Sequence, residues 1–161
     1  MDIKNIKKFN FCKRSIDNII DENVKEYIIN DLNSKNISNE NYAKIYNKNY
    51  HHKYLNNPHL VCLKTIGHPY LLYFTRINNK NYCLLIDKKS KDGYKFPKIF
   101  ILHYNFPDNF YKGTIFEAEL IKDNDNEWFL FLFDIYLYFG DFIFEKPKFD
   151  VEECIARGLT Y

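Results

Sequence analysis

The second part of the chain is a series of short apolar runs separated by turn signals, and this pattern limits the folds open to it. From residue 58 onward, each run is rich in aromatic and β-branched residues and is followed within a few positions by Gly, Pro, Asn or Asp. Such runs are typical of β-strands. The connections INNKNY and KDNDNEW predict hairpins between antiparallel neighbours. The runs are HLVCLK, PYLLYFTRI, NYCLLIDKK, KIFILHY, TIFEAELIK and EWFLFLFDIYLYF.

The N-terminal part carries a helical pattern instead. Residues 15–33 place apolar side chains at the spacing of one helix face, and Ser15 stands in the N-cap position. Residues 34–57 are polar and predict a loop. The apolar positions of the helical pattern are Ile16, Ile19, Ile20, Val24, Tyr27, Ile28 and Leu32.

These patterns together predict an α+β protein, in which an N-terminal helix is followed by a mainly antiparallel sheet. The length of 161 residues fits a single domain with a substantial core. We expect this domain to contain a helical and polar segment over residues 1–57 and a sheet region over residues 58–161.

Composition and charge argue against several classes of protein. The net charge of +2 does not by itself indicate a nucleic-acid surface. No apolar run approaches the ~18 residues of a membrane span, and the start lacks a signal-peptide pattern. The four cysteines contain no C-x-x-C pair, which argues against a zinc site and a disulfide framework. We expect a reduced, soluble, cytoplasmic protein without a membrane partner.

Three places put charged groups where a core strand would not favour them. Lys64 lies at the junction of two apolar runs, and Asp134 is embedded in another. Glu117 and Glu119 are two apart in a strand, so both carboxylates face the same side. Each has a plainer interpretation: a surface lysine, the wet end of a strand, and the solvent face of an edge strand.

In this order, the elements resemble the covalent lysyl nucleotidyltransferases, the superfamily of mRNA capping guanylyltransferases and ATP-dependent ligases. LVCLKTIG resembles their motif I, K-x-x-G, with Lys64 as the lysine and Gly67 as the glycine. YCLLIDKK is similar to a strand that ends in a Leu-Ile-Asp-Arg-like sequence, and GTIFEAELI to motif III. FLFLFDIYLYFG is similar to motif IIIa, with Gly140 six residues after Asp134. The resemblance covers about residues 58–150 and is closest to capping enzymes, including those of large DNA viruses.

The resemblance implies a chemistry and a set of site residues. Lys64 would attack the α-phosphate of GTP, form a lysyl–GMP intermediate and pass the nucleotide to an RNA 5′ end. The choice of GTP over ATP rests on this analogy. Mg²⁺ or Mn²⁺ would be the cofactor, held by Glu119 and Asp134. The nucleotide would be contacted by Gly67, Lys88, Glu117 and Glu119.

Departures from the family pattern keep other interpretations open. Ile66 stands where capping enzymes have Asp, Pro69 where many have Arg, and Ala118 where motif III has Gly. Motifs IV and V are not recognised, so we expect a partner protein to supply them. The alternative is an inactive, nucleotidyltransferase-like subunit that serves as a binding module in a transcription or RNA-processing complex. A third possibility is an unrelated α+β domain with chance motif matches.

Overall fold

The structure of the chain is a computed structural model that describes residues 3–37, 65–89 and 93–143. Most of the described chain is β-strand. The elements, in chain order, are β1 (Ile6–Phe11), β2 (Arg14–Ile19), α1 (Glu22–Ser34), β3 (His68–Ile77), β4 (Lys80–Asp87), β5 (Ile99–Leu102), a 3-10 helix (Asp108–Lys112), β6 (Thr114–Lys122), β7 (Trp128–Tyr138) and β8 (Asp141–Phe142).

The strands of the described residues form a single sheet in the order β1-β2-β5-β4-β3-β6-β7-β8. Every neighbouring pair is antiparallel. The part β4-β3-β6-β7 of this order arises because β3–β4 and β6–β7 are hairpins and β3 also pairs with β6. The central strands therefore come from the region where the sequence predicts a sheet.

The prediction of an α+β domain, as part of a capping-enzyme or ligase-like layout, is wrong. The structure is mainly one antiparallel sheet, and α1 is the only α-helix among the described residues. The chain also enters the sheet before the helix, through the hairpin of β1 and β2. Over the described ranges, the fold is therefore an eight-stranded antiparallel sheet with a helix on one face.

The helix expected over residues 15–33 begins seven residues later than its predicted start, at Glu22. Its N-cap is Asp21 rather than Ser15, because the Asp21 carboxylate accepts hydrogen bonds from the backbone N–H groups of Asn23 (3.0 Å) and Val24 (3.4 Å). The residues that α1 buries follow a four-residue spacing, which is the helical part of the predicted pattern. They are Val24, Ile28 and Leu32.

The first half of the predicted helix is instead β2, the second strand of a hairpin. Its turn places Cys12 and Lys13 at φ of 52° and 65°, the left-handed conformation of a two-residue hairpin turn. Asn and Gly favour this conformation and Cys and Lys do not, so the sequence carries no turn signal at this point. In β2, Ile19 is buried on the same face as α1, and Ile16 packs on the opposite face.

The other predicted strands that fall within the described residues are confirmed. The runs PYLLYFTRI, NYCLLIDKK, KIFILHY, TIFEAELIK and EWFLFLFDIYLYF correspond to β3, β4, β5, β6 and β7. The predicted hairpin at Asn78-Asn79 is also present, and both residues have positive φ, at 48° and 60°. The run HLVCLK, which contains Lys64, lies outside the described residues, as does most of the predicted loop 34–57.

The sheet buries side chains on both faces, in two separate clusters. On the helix face, which we define by Leu71, Leu84 and Ile86, the strands pack against α1. The opposite, aromatic face is defined by Phe74, Phe100 and Phe116 and is covered by the 3-10 helix. Because both faces are largely buried, charged groups inside strands need partners within the protein.

The helix is anchored to its face by a polar contact as well as by apolar packing. The Tyr73 hydroxyl donates to the Asp31 carboxylate, and the Lys35 ammonium binds the same carboxylate. Burial raises the pKa of Tyr73 above its ordinary range, so the hydroxyl stays a donor. No helix in the described part of the chain is both long and apolar enough to cross a membrane.

Candidate functional site

Polar side chains from β6, from β7 and from the residue after β4 come together on the helix face of the sheet. Glu117 of β6 lies opposite Leu71 of β3 and opposite Asp134 of β7. Glu119 lies two residues further along β6, opposite Pro69. Residues opposite one another in antiparallel strands share a face, so the acidic residues singled out in the sequence lie on one side of the sheet.

Glu117 is the centre of this group. The Lys88 ammonium binds its Oε1, and the Tyr136 hydroxyl donates to its Oε2. The Lys88 and Glu117 side chains are only 7% and 15% exposed, so the pair is largely removed from water. Lys88 is also held through its backbone, whose N–H donates to the carbonyl of Pro69 at 3.1 Å. A charge pair with so little solvent around it is uncommon, and such pairs occur at functional sites and in structural ion-pair networks.

Asp134 adds a second carboxylate beside this pair. Burial raises the pKa of Asp134, and the nearby negative charge of Glu117 raises it further. The backbone N–H of Ile135, which donates to Asp134 Oδ1 at 2.8 Å, and the positive charge of Lys88 act in the opposite direction. Asp134 is therefore neither a strand end nor a turn cap, but a half-buried acid within the group.

Glu119 is joined to the segment that contains the motif I residues. The Thr65 hydroxyl donates to Glu119 Oε2. Thr65 is the residue that follows Lys64 in the sequence. Lys64 itself lies outside the described residues. The structure thus brings the neighbour of the predicted nucleophile to the predicted motif III glutamate.

Gly67 has a steric function in this arrangement. A Cβ atom at this position would lie 2.4 Å from the carbonyl oxygen of Leu120 and 2.8 Å from Glu119 Cγ. Such distances are far below van der Waals contact, so only glycine lets the segment approach β6 this closely. The structure therefore accounts for Gly67 by its packing against β6.

Two irregularities in the pairing of β6 with β7 set which side chains reach the site. The register shifts between Ile115 and Phe116 and again between Glu117 and Ala118. Each shift inserts one extra residue on β7 between two residues that align with consecutive residues of β6; the extra residues are Tyr136 and Phe133. Bulges of this kind change the direction of side chains and often occur beside functional sites.

The structure thus places most of the predicted site residues together, and it adds two. Lys88, Glu117 and Asp134 form one contact group, and Glu119 lies beside it on β6. Tyr136 and Thr65 were not singled out by the sequence. Tyr136 lies two residues after Asp134 in the same apolar run, so strand alternation puts it on the face of Asp134. The sequence does not show that this face also holds Glu117, because that depends on the register of β6 and β7.

The donor set suits a hard cation only in part. Among the described residues, no three His, Cys, Asp or Glu side chains converge closely enough to hold a metal ion. Mg²⁺ in nucleotide sites is commonly held by one or two carboxylates together with phosphate oxygens and water. Glu119 and Asp134 are carboxylates of the right type on one face of the sheet, so they fit that shared form of binding and not a closed protein cage.

A second polar pair lies on the aromatic face and is separate from this site. His68 Nε2 is 2.8 Å from Asp87 Oδ1, and the His68 ring packs against Tyr70 at 4.9 Å between centroids. The same Asp87 oxygen accepts the backbone N–H of Lys89 at 2.8 Å. His68 is thus more than the turn residue that its sequence position suggests, because it begins β3 and pairs with the end of β4.

Comparison with known proteins adds no relative. Neither a protein-family model nor a curated protein sequence matches this chain. The connection with nucleotidyl transfer therefore depends on the motif resemblance and on the geometry of the residues described above.

Proposed function

We propose that the chain transfers a nucleotide through a covalent lysyl intermediate, as a guanylyltransferase that acts on an RNA 5′ end. The observation that carries this proposal is the meeting of Lys88, which follows β4, with Glu117 and Glu119 of β6 and Asp134 of β7 on one face of the sheet. It is supported by the hydrogen bond from Thr65, the neighbour of Lys64, to Glu119. Nucleotidyl transfer through a covalent intermediate requires a nucleophilic amine, together with positive charge and carboxylates that act on the phosphates.

In the proposed reaction, the Lys64 amine attacks the α-phosphorus of GTP. A nitrogen–phosphorus bond forms, the bond from the α-phosphorus to the bridging oxygen breaks, and pyrophosphate leaves. An ordinary lysine is almost wholly protonated at neutral pH, so the amine must first lose a proton to solvent or to a carboxylate. The 5′-diphosphate oxygen of the RNA then displaces Lys64 and takes the GMP.

Lys88, Glu119 and Asp134 each have a part in this proposal. Lys88 supplies positive charge for the phosphates from a fixed and largely desolvated position. Glu119 and Asp134 would hold Mg²⁺ or Mn²⁺ together with phosphate oxygens. The cation would neutralise the charge that develops on the phosphates. A partner protein would supply further phosphate contacts, and we place the reaction in the cytoplasm, where the free thiols of Cys12 and Cys83 stay reduced.

The test is the formation of an acid-labile covalent adduct. The protein is incubated with GTP labelled at the α-phosphate and with Mg²⁺, then denatured and separated by electrophoresis. We expect label on the wild-type chain and none on Lys64→Arg, which keeps the charge and removes the lysine amine. A parallel incubation with labelled ATP decides the base. An adduct that survives Lys64→Arg at full strength would contradict the proposal.

A second function is favoured by one observation: the Lys88 ammonium is already bound to a carboxylate of the protein, that of Glu117. Lys88 and Glu117 neutralise each other, and Ile66, where capping enzymes have Asp, is 99% exposed. A site that has lost catalysis would keep such a pair as part of its structure. We propose as the alternative an inactive binding subunit of a transcription or RNA-processing complex. In that case Lys64→Arg has the same affinity for GTP and for RNA as the wild type. No adduct forms with the wild type or with Lys64→Arg.

A further inference from the structure

We propose that Tyr136 is a positioning residue, which fixes Lys88 for phosphate binding by holding the Glu117 carboxylate between them. The proposal rests on the proposed function, since it takes Lys88 as the group that meets the phosphates. It also changes the part expected of Glu117. Glu117 is a bridge within the protein and not a group that contacts the nucleotide.

Both carboxylate oxygens of Glu117 accept from other side chains of the protein. Oε1 accepts from the Lys88 ammonium and Oε2 accepts from the Tyr136 hydroxyl. An ionised carboxylate is an acceptor only, and here each of its oxygens already has a strong donor from the protein. A nucleotide hydroxyl or a metal ion would have to displace one of these contacts. The Lys88 ammonium has three donors, and its contact with Glu117 uses one of them.

The position of Tyr136 in β7 puts its side chain on the face of Glu117. Ile135 packs in the cluster of the aromatic face, whereas Tyr136 and Leu137 both pack in the cluster of the helix face. In a regular strand, neighbours face opposite sides, so Tyr136 shares a face with Asp134 and with Glu117, which lies opposite Asp134. The departure from regularity follows Tyr136, because Leu137 lies on the same face.

The side chains of Tyr136 and Lys88 are both buried. Tyr136 is 6% exposed and the Lys88 side chain 7%, so water does not readily replace the tyrosine hydroxyl as a donor to Glu117. When the hydroxyl is removed, the carboxylate keeps only one anchor, and it gains freedom to turn about its side-chain bonds. Lys88 then loses its fixed place although no atom of Lys88 has changed.

The first experiment measures adduct formation as a function of GTP concentration for Tyr136→Phe. The ring stays in place, so the variant retains the packing of the core. We expect the GTP concentration at half-maximal rate to rise about tenfold, as for the loss of a hydrogen bond to a charged group, with a smaller change in the maximal rate. The matched control is Tyr73→Phe, which removes the same kind of hydroxyl–carboxylate bond at α1 and should leave both values unchanged. Equal effects of the two substitutions would overturn the proposal.

The second experiment does not require activity. The ammonium signal of Lys88 is followed by NMR with ¹⁵N-labelled lysine, in the full chain without nucleotide. We expect slow proton exchange in the wild type and in Tyr73→Phe, and fast exchange in Tyr136→Phe. An unchanged Lys88 signal in Tyr136→Phe would overturn the positioning role. If the signal changes as expected while the wild type forms no adduct with GTP or ATP, the positioning of Lys88 stands and the proposed function fails.

Discussion

At the scale of single residues, the site is a group of charged side chains that interact on one face of a sheet. Lys88 and Glu117 compensate each other, and Asp134 stands beside them without a cation of its own among the described contacts. Burial and the charge of Glu117 raise the pKa of Asp134, which means that its ionised form is disfavoured in the folded protein. This acid therefore lowers stability when it is charged.

The charge on Asp134 gives a pH-dependent prediction. The folded protein binds the Asp134 proton more tightly than the unfolded chain, so this group makes stability fall as the pH rises from the ordinary pKa of 3.8 through the raised folded value. Asp134→Asn removes the charge and retains an oxygen for the N–H of Ile135. We expect Asp134→Asn to be more stable than the wild type at pH 7, by up to about 1 kcal/mol because the group is partly solvated.

Urea unfolding at pH 7 and at pH 3 measures this difference. The gain should be present at pH 7 and should shrink or vanish at pH 3, where the wild-type carboxyl is protonated in both states. A gain of equal size at both pH values would show that charge is not the cause.

Gly67 gives a second prediction at this scale. Gly67→Ala places a methyl group against the backbone of Leu120, so the segment must move away from β6. We expect a loss of about 1–3 kcal/mol of unfolding free energy, as for other overpacked sites. Thr65→Val is the control, since it removes the hydrogen bond to Glu119 without a clash. Thermal unfolding that shows no cost for Gly67→Ala would contradict the close packing.

At the scale of elements, β7 shows how much the sequence reveals. Its position and length follow from its apolar run, but the direction of its side chains does not. A regular strand would place Phe131 and Phe133 on the same face, and which of Leu132 and Phe133 points inward is undetermined by the run itself. The structure shows Phe133 47% exposed at a bulge, whereas Leu132 packs against the cluster of the aromatic face.

This difference predicts unequal costs for two neighbouring truncations. Leu132→Ala removes a partly buried side chain and should cost about 2 kcal/mol through the cavity it leaves. Phe133→Ala removes a larger but exposed side chain and should cost less than about 1 kcal/mol. Both values come from urea unfolding monitored by circular dichroism. The reverse order would place the bulge at another residue.

At the scale of the whole molecule, the sequence predicts strands better than it predicts the fold. Five strands follow from runs of aromatic and β-branched residues, because that pattern depends on local burial. The fold class is mispredicted because the Cys12-Lys13 turn has no Asn or Gly, so β2, the second strand of the hairpin before α1, is read as helix. The convergence of Lys88, Glu117 and Asp134 depends on strand order and on bulges, which are properties of the sheet and not of any single run.

We propose that Lys64 carries the nucleotide, and that Glu117 and Glu119 of β6 and Asp134 of β7 support the reaction. The most direct measurement is mass spectrometry of the chain after incubation with GTP and Mg²⁺ at neutral or alkaline pH, with the modified residue located by fragmentation. We expect GMP attached to the Nζ atom of Lys64, and none on this residue in Glu119→Ala. GMP found on another lysine, with Lys64 unmodified, would contradict it.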